Sequence, residues 1–171
     1  MNLFSIEYHK VFCREWAWSK NKILSMVPFG DTSLRDHNIS YTDYFKKDIP
    51  EYSELFLSIV RPELESFVKK SDYKFNDVTA LWCQRYNKGD YFQPHDHGGV
   101  GYSAIFYAEY DEKKHGSTTF FSPFQDVHGH RKSFSPSVIE GDLIIFPANI
   151  MHMAPNNTSD THRTIFSFNL I

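Results

Sequence analysis

This chain of 171 residues has few cysteines, no excess of basic residues and no long apolar run. Its only cysteines, Cys13 and Cys83, cannot form the disulfide framework of a small secreted domain, so we expect free thiols and a cytoplasmic protein. Lysine and arginine number 18 against 21 acidic residues, which gives a net charge of -3. Without a basic stripe to neutralise phosphates, the chain is not expected to bind nucleic acid.

Membrane-spanning and secretory signals are also missing from the sequence. No apolar run is long enough to cross a bilayer, and residues 1–10 lack the basic start and apolar centre of a signal peptide. We therefore expect no membrane partner, and a small molecule or a peptide is the remaining class of ligand. The composition does not indicate an oligomeric state.

The length is enough for one sizeable core and short for two ordinary domains. We predict a single domain over residues 1–171, in which residues 1–77 form a helix-containing support and residues 78–171 form the β-rich core. Residues 48–71 carry apolar side chains at helical spacing. Asp48 and Glu51 resemble a capping box, Pro50 suits a first turn, and the helix should bend or split before Pro62. Residues 30–47 are expected to form a polar loop or short irregular elements.

Aromatic residues make up 17% of the chain and favour strands. After residue 77 the sequence changes to short alternating runs separated by turn clusters, as in antiparallel sandwiches and barrels. We predict a mainly β fold with supporting helices, a jelly roll. The predicted strands cover residues 78–86, 102–110, 118–122, 142–146 and 163–171.

His95 and His97 are separated by one residue, which puts both side chains on the same face of an extended strand. Their Cβ atoms would lie roughly 6–7 Å apart, so both imidazoles could bind one metal ion. Asp96 would then point away. Such a pair can also be ordinary surface histidines, and the remaining sequence has to decide between the two interpretations.

His152 supplies that further evidence, because it follows a predicted buried strand that ends at Pro147. On a neighbouring strand it could complete a site with His95 and His97. Taken alone, it could equally be a core histidine bound to the backbone. Three histidines at these spacings together favour a metal site.

Arg163 opens the last predicted strand, 11 positions after His152. By alternation it shares a face with Ile165, Ser167 and Asn169. A guanidinium among apolar residues is costly to bury without an anion, and its planar fork suits a carboxylate. A salt bridge with an acidic residue at the barrel mouth is the alternative interpretation.

The histidines and the arginine stand inside a longer series of short motifs. These are Gly89-Asp90-Tyr91, His95-Asp96-His97, Ser103 to Tyr107, Gly141 to Pro147, His152, Pro155-Asn156 and Arg163 to Asn169. In this combination they resemble the Fe(II)/2-oxoglutarate-dependent oxygenase superfamily, over roughly residues 78–171. Within it, they resemble a small group from phages and marine bacteria that is related to prolyl hydroxylases.

The resemblance implies a double-stranded β-helix, a cupin-like jelly roll, that contains Fe(II) and uses 2-oxoglutarate and O2 as co-substrates. His95, His97 and His152 would be the metal ligands and the catalytic centre, and Arg163 would hold the far carboxylate of 2-oxoglutarate. The implied activity is that of a dioxygenase, which hydroxylates an unidentified substrate and releases succinate and CO2.

Two positions depart from the superfamily pattern. A carboxylate usually stands where this chain has His97, so the site has three histidines unless Asp96 turns inward. Many members also have a serine where this chain has Ile165. Another hydroxyl is then needed for the carboxylate of 2-oxoglutarate. Candidates for contact with this co-substrate are Tyr91, Ser103, Tyr107 and, where related sequences carry an asparagine, Gln84.

Two other functions fit parts of the same pattern. A cupin-type dioxygenase or isomerase would share the spacing of the glycines and histidines, but the glutamate expected after the histidine pair is missing, and Arg163 would have no role. A non-catalytic jelly-roll module could use Arg163 and aromatic residues to bind a carboxylated or sugar ligand. Neither alternative would produce succinate from 2-oxoglutarate.

Overall fold

The structure is a computed structural model that describes residues 6–36, 38–71 and 77–171. Among these residues, short N-terminal elements and two helices precede a long series of strands. In chain order the elements are β1 (His9–Phe12), α1 (Trp16–Ser25), β2 (Tyr41–Thr42), α2 (Ser53–Lys70), β3 (Val78–Tyr86), β4 (Phe92–His95), β5 (Tyr102–Glu109), β6 (Thr119–Gln125), β7 (Arg131–Phe134), β8 (Asp142–Pro147), β9 (His152–Ala154) and β10 (Arg163–Leu170).

The strands form two antiparallel sheets. The major sheet has the order β1-β8-β5-β10-β3-β2, and the minor sheet has the order β4-β9-β6-β7. Phe120 of the minor sheet packs edge-on against Phe146 of the major sheet, with 4.8 Å between ring centroids. The architecture is a double-stranded β-helix, which confirms the predicted mainly β jelly roll with supporting helices.

The central strands of the major sheet, β8, β5 and β10, are buried on both faces, and strand alternation assigns each residue to one side. On β10, Phe166 and Phe168 pack outward against the helices, in a core that includes Trp16 and Phe56. Ile165 points inward, to the space between the two sheets. The inner face of β10 is therefore the face that Arg163, Ser167 and Asn169 share, as the sequence predicts.

Helix α2 differs from its prediction at its start and in its middle. It begins at Ser53, where Tyr52 is the N-cap and makes no side-chain capping bond, so the capping box of Asp48 and Glu51 was wrong. The helix also continues through Pro62, so the predicted split is not seen, while a bend at the proline stays a prediction. Buried side chains on both sides of the proline, among them Val60 and Leu64, hold the two halves against one core, which outweighs the missing hydrogen bond.

The N-terminal part contributes strands as well as helices. β1 pairs with β8, and β2 pairs with β3 inside residues 30–47, for which a polar loop or short irregular elements are predicted. β7, β9 and α1 were not predicted either. Both cysteines are free, as expected, and the structure shows that both are buried. No helix within the described ranges is long and apolar enough to span a membrane.

Candidate metal centre

Three histidines converge at one end of the space between the sheets. β4 and β9 pair so that His95 lies directly opposite His152, and His97 follows two residues after the end of β4. The nitrogen atoms that could bind a metal all lie within 4.8 Å of one another. The structure therefore brings together the three histidines that the sequence singled out, although they come from two separate motifs.

Backbone carbonyl groups orient two of these rings. His95 Nδ1 lies 2.9 Å from the carbonyl oxygen of Gln93, and His152 Nδ1 lies 2.9 Å from that of Ile150. A neutral imidazole that donates a hydrogen bond through Nδ1 keeps the lone pair of Nε2 free. Both rings thus offer Nε2 to the same point in the cavity.

His97 is oriented by side chains of the major sheet instead. Its ring stacks on Trp82 at 5.7 Å between centroids, and it is hydrogen-bonded to Asn169. Ser103 donates a second hydrogen bond to Asn169 Oδ1, at 2.9 Å. A network from Ser103 through Asn169 to His97 therefore links the major sheet to the third histidine.

Burial keeps the three imidazoles neutral. It lowers the pKa of His152 to about 3 and that of His97 to about 4, and the neighbouring His95 adds to both shifts. The pKa of His95 is lowered as well, again because of burial. Metal ions bind the deprotonated ring, so this cluster is in its binding form at neutral pH.

A cavity of about 330 Å³ opens beside the histidines. Its deep end is lined by buried residues, including Tyr86, Ile105, Thr118 and Ile165. Its outer end is lined by the more exposed Asp36, Tyr44, Phe45 and Asp96. The metal-binding atoms thus face a space that is closed on one side and open to solvent on the other.

Arg163 lies behind the deep end and is only 2% exposed. Its guanidinium donates to the carbonyl oxygens of Gly116 and Pro155, and it packs over the ring of Tyr86 at 4.5 Å. Its Nε is buried without a hydrogen-bond partner, and no carboxylate in the described part of the chain pairs with it. The alternative of a salt bridge is therefore not seen. A buried cation with an unused donor suits an anion such as the carboxylate of 2-oxoglutarate.

Of the other predicted site residues, some line the cavity and others do not. Gln84 lines the cavity and accepts a hydrogen bond from the hydroxyl of Tyr86. Tyr107 donates a hydrogen bond to Thr118, which is also part of the cavity lining. Tyr91 is 41% exposed and lies outside the cavity wall, as does Ser103. The three hydroxyl candidates for contact with 2-oxoglutarate remain predictions.

Asp96 is not part of the group of converging ligand atoms, although it lines the outer cavity wall. Its Oδ1 accepts a hydrogen bond from the backbone nitrogen of Gly98, at 3.1 Å. Trp82 and Asn169 were not predicted as site residues. Strand alternation could have found them, because each shares a face with a predicted residue: Trp82 with Gln84, and Asn169 with Arg163.

The family model described as "Putative 2OG-Fe(II) oxygenase" matches residues 80–169, just over half of the chain. The chain belongs to the 2OG-Fe(II) oxygenase family. The oxygenase is thus an enzyme of a family that uses Fe(II), 2-oxoglutarate and O2. This match decides against the cupin enzyme and the binding module considered above. No curated protein matches the sequence significantly.

Solved structures of several oxygenases are similar in fold. A viral collagen prolyl hydroxylase from Paramecium Bursaria Chlorella virus-1, in complex with 2-oxoglutarate, is 14% identical, with a TM-score of 0.65 over 95% of this chain and 94% of its own. A prolyl hydroxylase from Trichoplax adhaerens, in complex with a hypoxia inducible factor peptide fragment, is 11% identical, with a TM-score of 0.67 over 96% and 83%. HygX from Streptomyces hygroscopicus, with nickel, 2-oxoglutarate and hygromycin B bound, is 13% identical, with a TM-score of 0.66 over 96% and 82%.

Proposed function

We propose that the oxygenase binds Fe(II) through His95, His97 and His152, holds 2-oxoglutarate with the help of Arg163, and hydroxylates a small molecule or a peptide. The observation that carries this proposal is the convergence of three neutral imidazoles, within 4.8 Å, beside a cavity whose closed end includes Tyr86, with the buried Arg163 packed behind that ring. Imidazole nitrogen is a suitable ligand for Fe(II), so the residues fit the metal that the family uses.

With iron and 2-oxoglutarate bound, the centre would supply an oxidation by O2, in which one oxygen atom enters the succinate formed as 2-oxoglutarate loses CO2 and the other enters the substrate as a hydroxyl group. The chain itself provides position and shielding. The carbonyl groups of Gln93 and Ile150 fix two of the rings, and Asn169 fixes the third. Apolar side chains at the deep end, such as Ile105 and Ile165, exclude water from the reacting groups.

Arg163 would orient the co-substrate by its far carboxylate. The unused Nε donor and the burial of the charge make an anion favourable at this place. Tyr86, which packs on the guanidinium, and Gln84, which accepts the hydrogen bond of Tyr86, would complete the polar deep end. This arrangement would place the opposite, metal-binding end of 2-oxoglutarate toward the histidines.

Both substrate classes occur among proteins of this fold. The Trichoplax adhaerens enzyme is seen with a peptide fragment and HygX with hygromycin B. The cavity of about 330 Å³ must hold 2-oxoglutarate as well. The part of the substrate that enters is therefore of side-chain size, whether it comes from a small molecule or from a peptide.

Anaerobic titration with Fe(II) and then 2-oxoglutarate tests the site. We expect a visible metal-to-ligand charge-transfer band in the native protein. His152→Ala should abolish the band, and Arg163→Ala should require at least roughly tenfold more 2-oxoglutarate, since one charged hydrogen bond contributes about 1.5–3 kcal/mol. Asp96→Ala should keep the band, whereas His97→Ala should weaken it.

The exposed residues His128 and Arg14 provide matched controls, because they lie away from the cavity. His128→Ala and Arg14→Ala should leave the titration unchanged. A band that survives in both His152→Ala and Arg163→Ala would show that the metal and 2-oxoglutarate bind elsewhere.

A further inference from the structure

Three aromatic rings form the outer wall of the cavity. Tyr44 packs edge-on against both Phe45 and Trp82, with centroid distances of 5.1 and 5.0 Å. Trp82 in turn stacks on His97. Tyr44 is 54% and Phe45 71% exposed, so aromatic surface is offered to solvent directly beside the metal ligands. We call Tyr44, Phe45 and Trp82 the aromatic lip.

The position of the aromatic lip is fixed by the residue that precedes it. Asp43 is buried, and its carboxylate accepts hydrogen bonds from the backbone nitrogen of Cys83, at 2.7 Å, and from the hydroxyl of Tyr52, at 2.8 Å. These contacts attach the start of the lip to β3 and α2. Tyr44 and Phe45 are therefore exposed although the residue before them is held in place by hydrogen bonds.

The charges along the cavity are all of one sign. No lysine or arginine lines it in the described part of the chain, whereas Asp36 and Asp96 do. Arg163, the nearby cation, is buried behind Tyr86 at the opposite end. Asp96 is exposed and lies between two of the metal ligands, although it is not one of them.

The metal centre with its co-substrate leaves one positive charge beside the cavity. Three neutral imidazoles do not offset the charge of Fe(II), of which the near carboxylate of 2-oxoglutarate would balance one unit, while the far carboxylate would pair with Arg163. The two carboxylates that line the outer end, Asp36 and Asp96, exceed this single charge and make the potential at the cavity mouth negative. An anionic substrate would be repelled there, and a cationic one would be attracted.

We infer that the substrate carries a cationic group, an ammonium or guanidinium on a chain of lysine or arginine size, which binds between the aromatic lip and Asp96. This inference rests on the proposed function, because it concerns the substrate of the same site. Exposed aromatic faces attract such cations, and an adjacent carboxylate adds an ion pair. A purely apolar substrate would make no use of Asp96.

Binding of three neutral-backbone probes whose side chains carry different charges tests the inference. The cationic probe is Nα-acetyl-L-lysine methylamide, the neutral one the norleucine analogue, and the anionic one the glutamate analogue. Calorimetric titration is performed on the protein loaded with Ni(II) and 2-oxoglutarate, and again without them. We expect the cationic probe to bind roughly tenfold more tightly than the neutral one, and the anionic probe to bind most weakly.

Variants assign the selectivity to the proposed residues. Asp96→Asn and Phe45→Leu should each reduce the affinity for the cationic probe several-fold and leave that for the neutral probe less affected. Glu54→Gln removes a charge from the exposed surface of α2 and should change neither. Free L-lysine in place of the blocked probe distinguishes a small-molecule substrate, which it would match in affinity, from a peptide, which it would not.

Equal affinity for the cationic and neutral probes, or an unchanged preference in Asp96→Asn, would overturn this inference. The proposed function fails by a different result, the absence of the charge-transfer band. Because the lip and Asp96 belong to the chain itself, the probe titration without metal can be judged whether or not that band forms.

Discussion

His97 occupies the position at which the oxygenase superfamily usually has a carboxylate, and its surroundings suit an imidazole. A flat ring can stack on Trp82, and a ring N–H can donate to Asn169, which is already bound by Ser103. A carboxylate could do neither. The third ligand is therefore supported by the major sheet, whereas His95 and His152 are supported by their own strands.

Asn169→Ala should weaken metal binding by roughly 10- to 100-fold, because loss of the acceptor frees the ring of His97 to rotate. Titration with Co(II), followed through its visible ligand-field bands, measures the affinity and also reports a change in coordination. Ser103→Ala should shift the affinity in the same direction by a smaller factor.

A conservative replacement separates positioning from general damage. Asn169→Asp keeps an acceptor for the N–H of His97, so it should restore most of the affinity that Asn169→Ala loses. If the alanine variant binds Co(II) as the native protein does, with the same spectrum, Asn169 has no role in positioning His97.

The sequence predicts the three histidines of the metal centre better than it predicts the residues that orient them. His95 and His97 are two residues apart, so local geometry alone puts them on one face. The contact between His97 and Asn169 depends instead on how β10 lies against β3 and β5, and on a register shift near the end of β10. No local pattern contains that information.

At the scale of elements, Asp43 joins three of them. It directly follows β2, accepts from Cys83 on β3, and accepts from Tyr52 at the start of α2. Burial raises the pKa of this carboxyl group, because the charged form loses its contact with water. The hydrogen bonds from Cys83 and Tyr52 offset part of this cost.

Asp43→Ala should lower the free energy of unfolding by about 2–3 kcal/mol, because a buried hydroxyl and a buried backbone N–H lose their acceptor. Urea denaturation followed by circular dichroism measures this change. Asp160→Ala is the control: Asp160 is exposed and contacts only Lys88 among the pairs seen, so the loss should stay below about 1 kcal/mol. A similar loss in both variants would contradict the role given to Asp43.

Long elements with clear periodicity were predicted well, and short ones were not. β3 begins and ends where alternation predicts, at Val78 and Tyr86. α1 carries few buried residues, Trp16 and Ile23, and its Trp18 is 86% exposed, so no apolar stripe marks it as a helix. β9 has three residues, too few for any period to show.

At the scale of the molecule, the buried histidines link stability to pH. Below pH 6.5 the unfolded chain takes up protons on these residues, whereas the folded protein holds His97 and His152 neutral down to about pH 4 and 3. The unfolding free energy of the metal-free protein should therefore fall as the pH is lowered from 6.5 toward 4. Urea titrations at pH 7.5, 6 and 5 test this slope.

The double variant His97→Gln and His152→Gln serves as the control, because it lacks both groups and should show a flatter pH profile. Ni(II) should stabilise the native protein more at pH 7.5 than at pH 5, since it competes with protons for the same rings. A profile that is identical in the native protein and the double variant would contradict this assignment.

The jelly roll was predictable as a class, because many short alternating strands with turns between them have few other solutions. Its two-sheet topology was not predictable from periodicity. The pairing of β1 with β8 and of β2 with β3 joins segments far apart in sequence, and short strands carry little specificity of their own. The resemblance to a known superfamily supplied the topology that the local patterns could not.

The alternation of side chains along β3 also protects the thiol of Cys83. Trp82 and Gln84 face the cavity, while Cys83 between them faces the helices, is fully buried, and has a pKa well above the ordinary value of a thiol. A centre that activates oxygen produces reactive oxidants when a reaction cycle is not completed on the substrate. A thiolate is a preferred target of such oxidants. Here one layer of sheet separates Cys83 from that hazard, so self-inactivation should fall first on Trp82, which lines the cavity and stacks on His97.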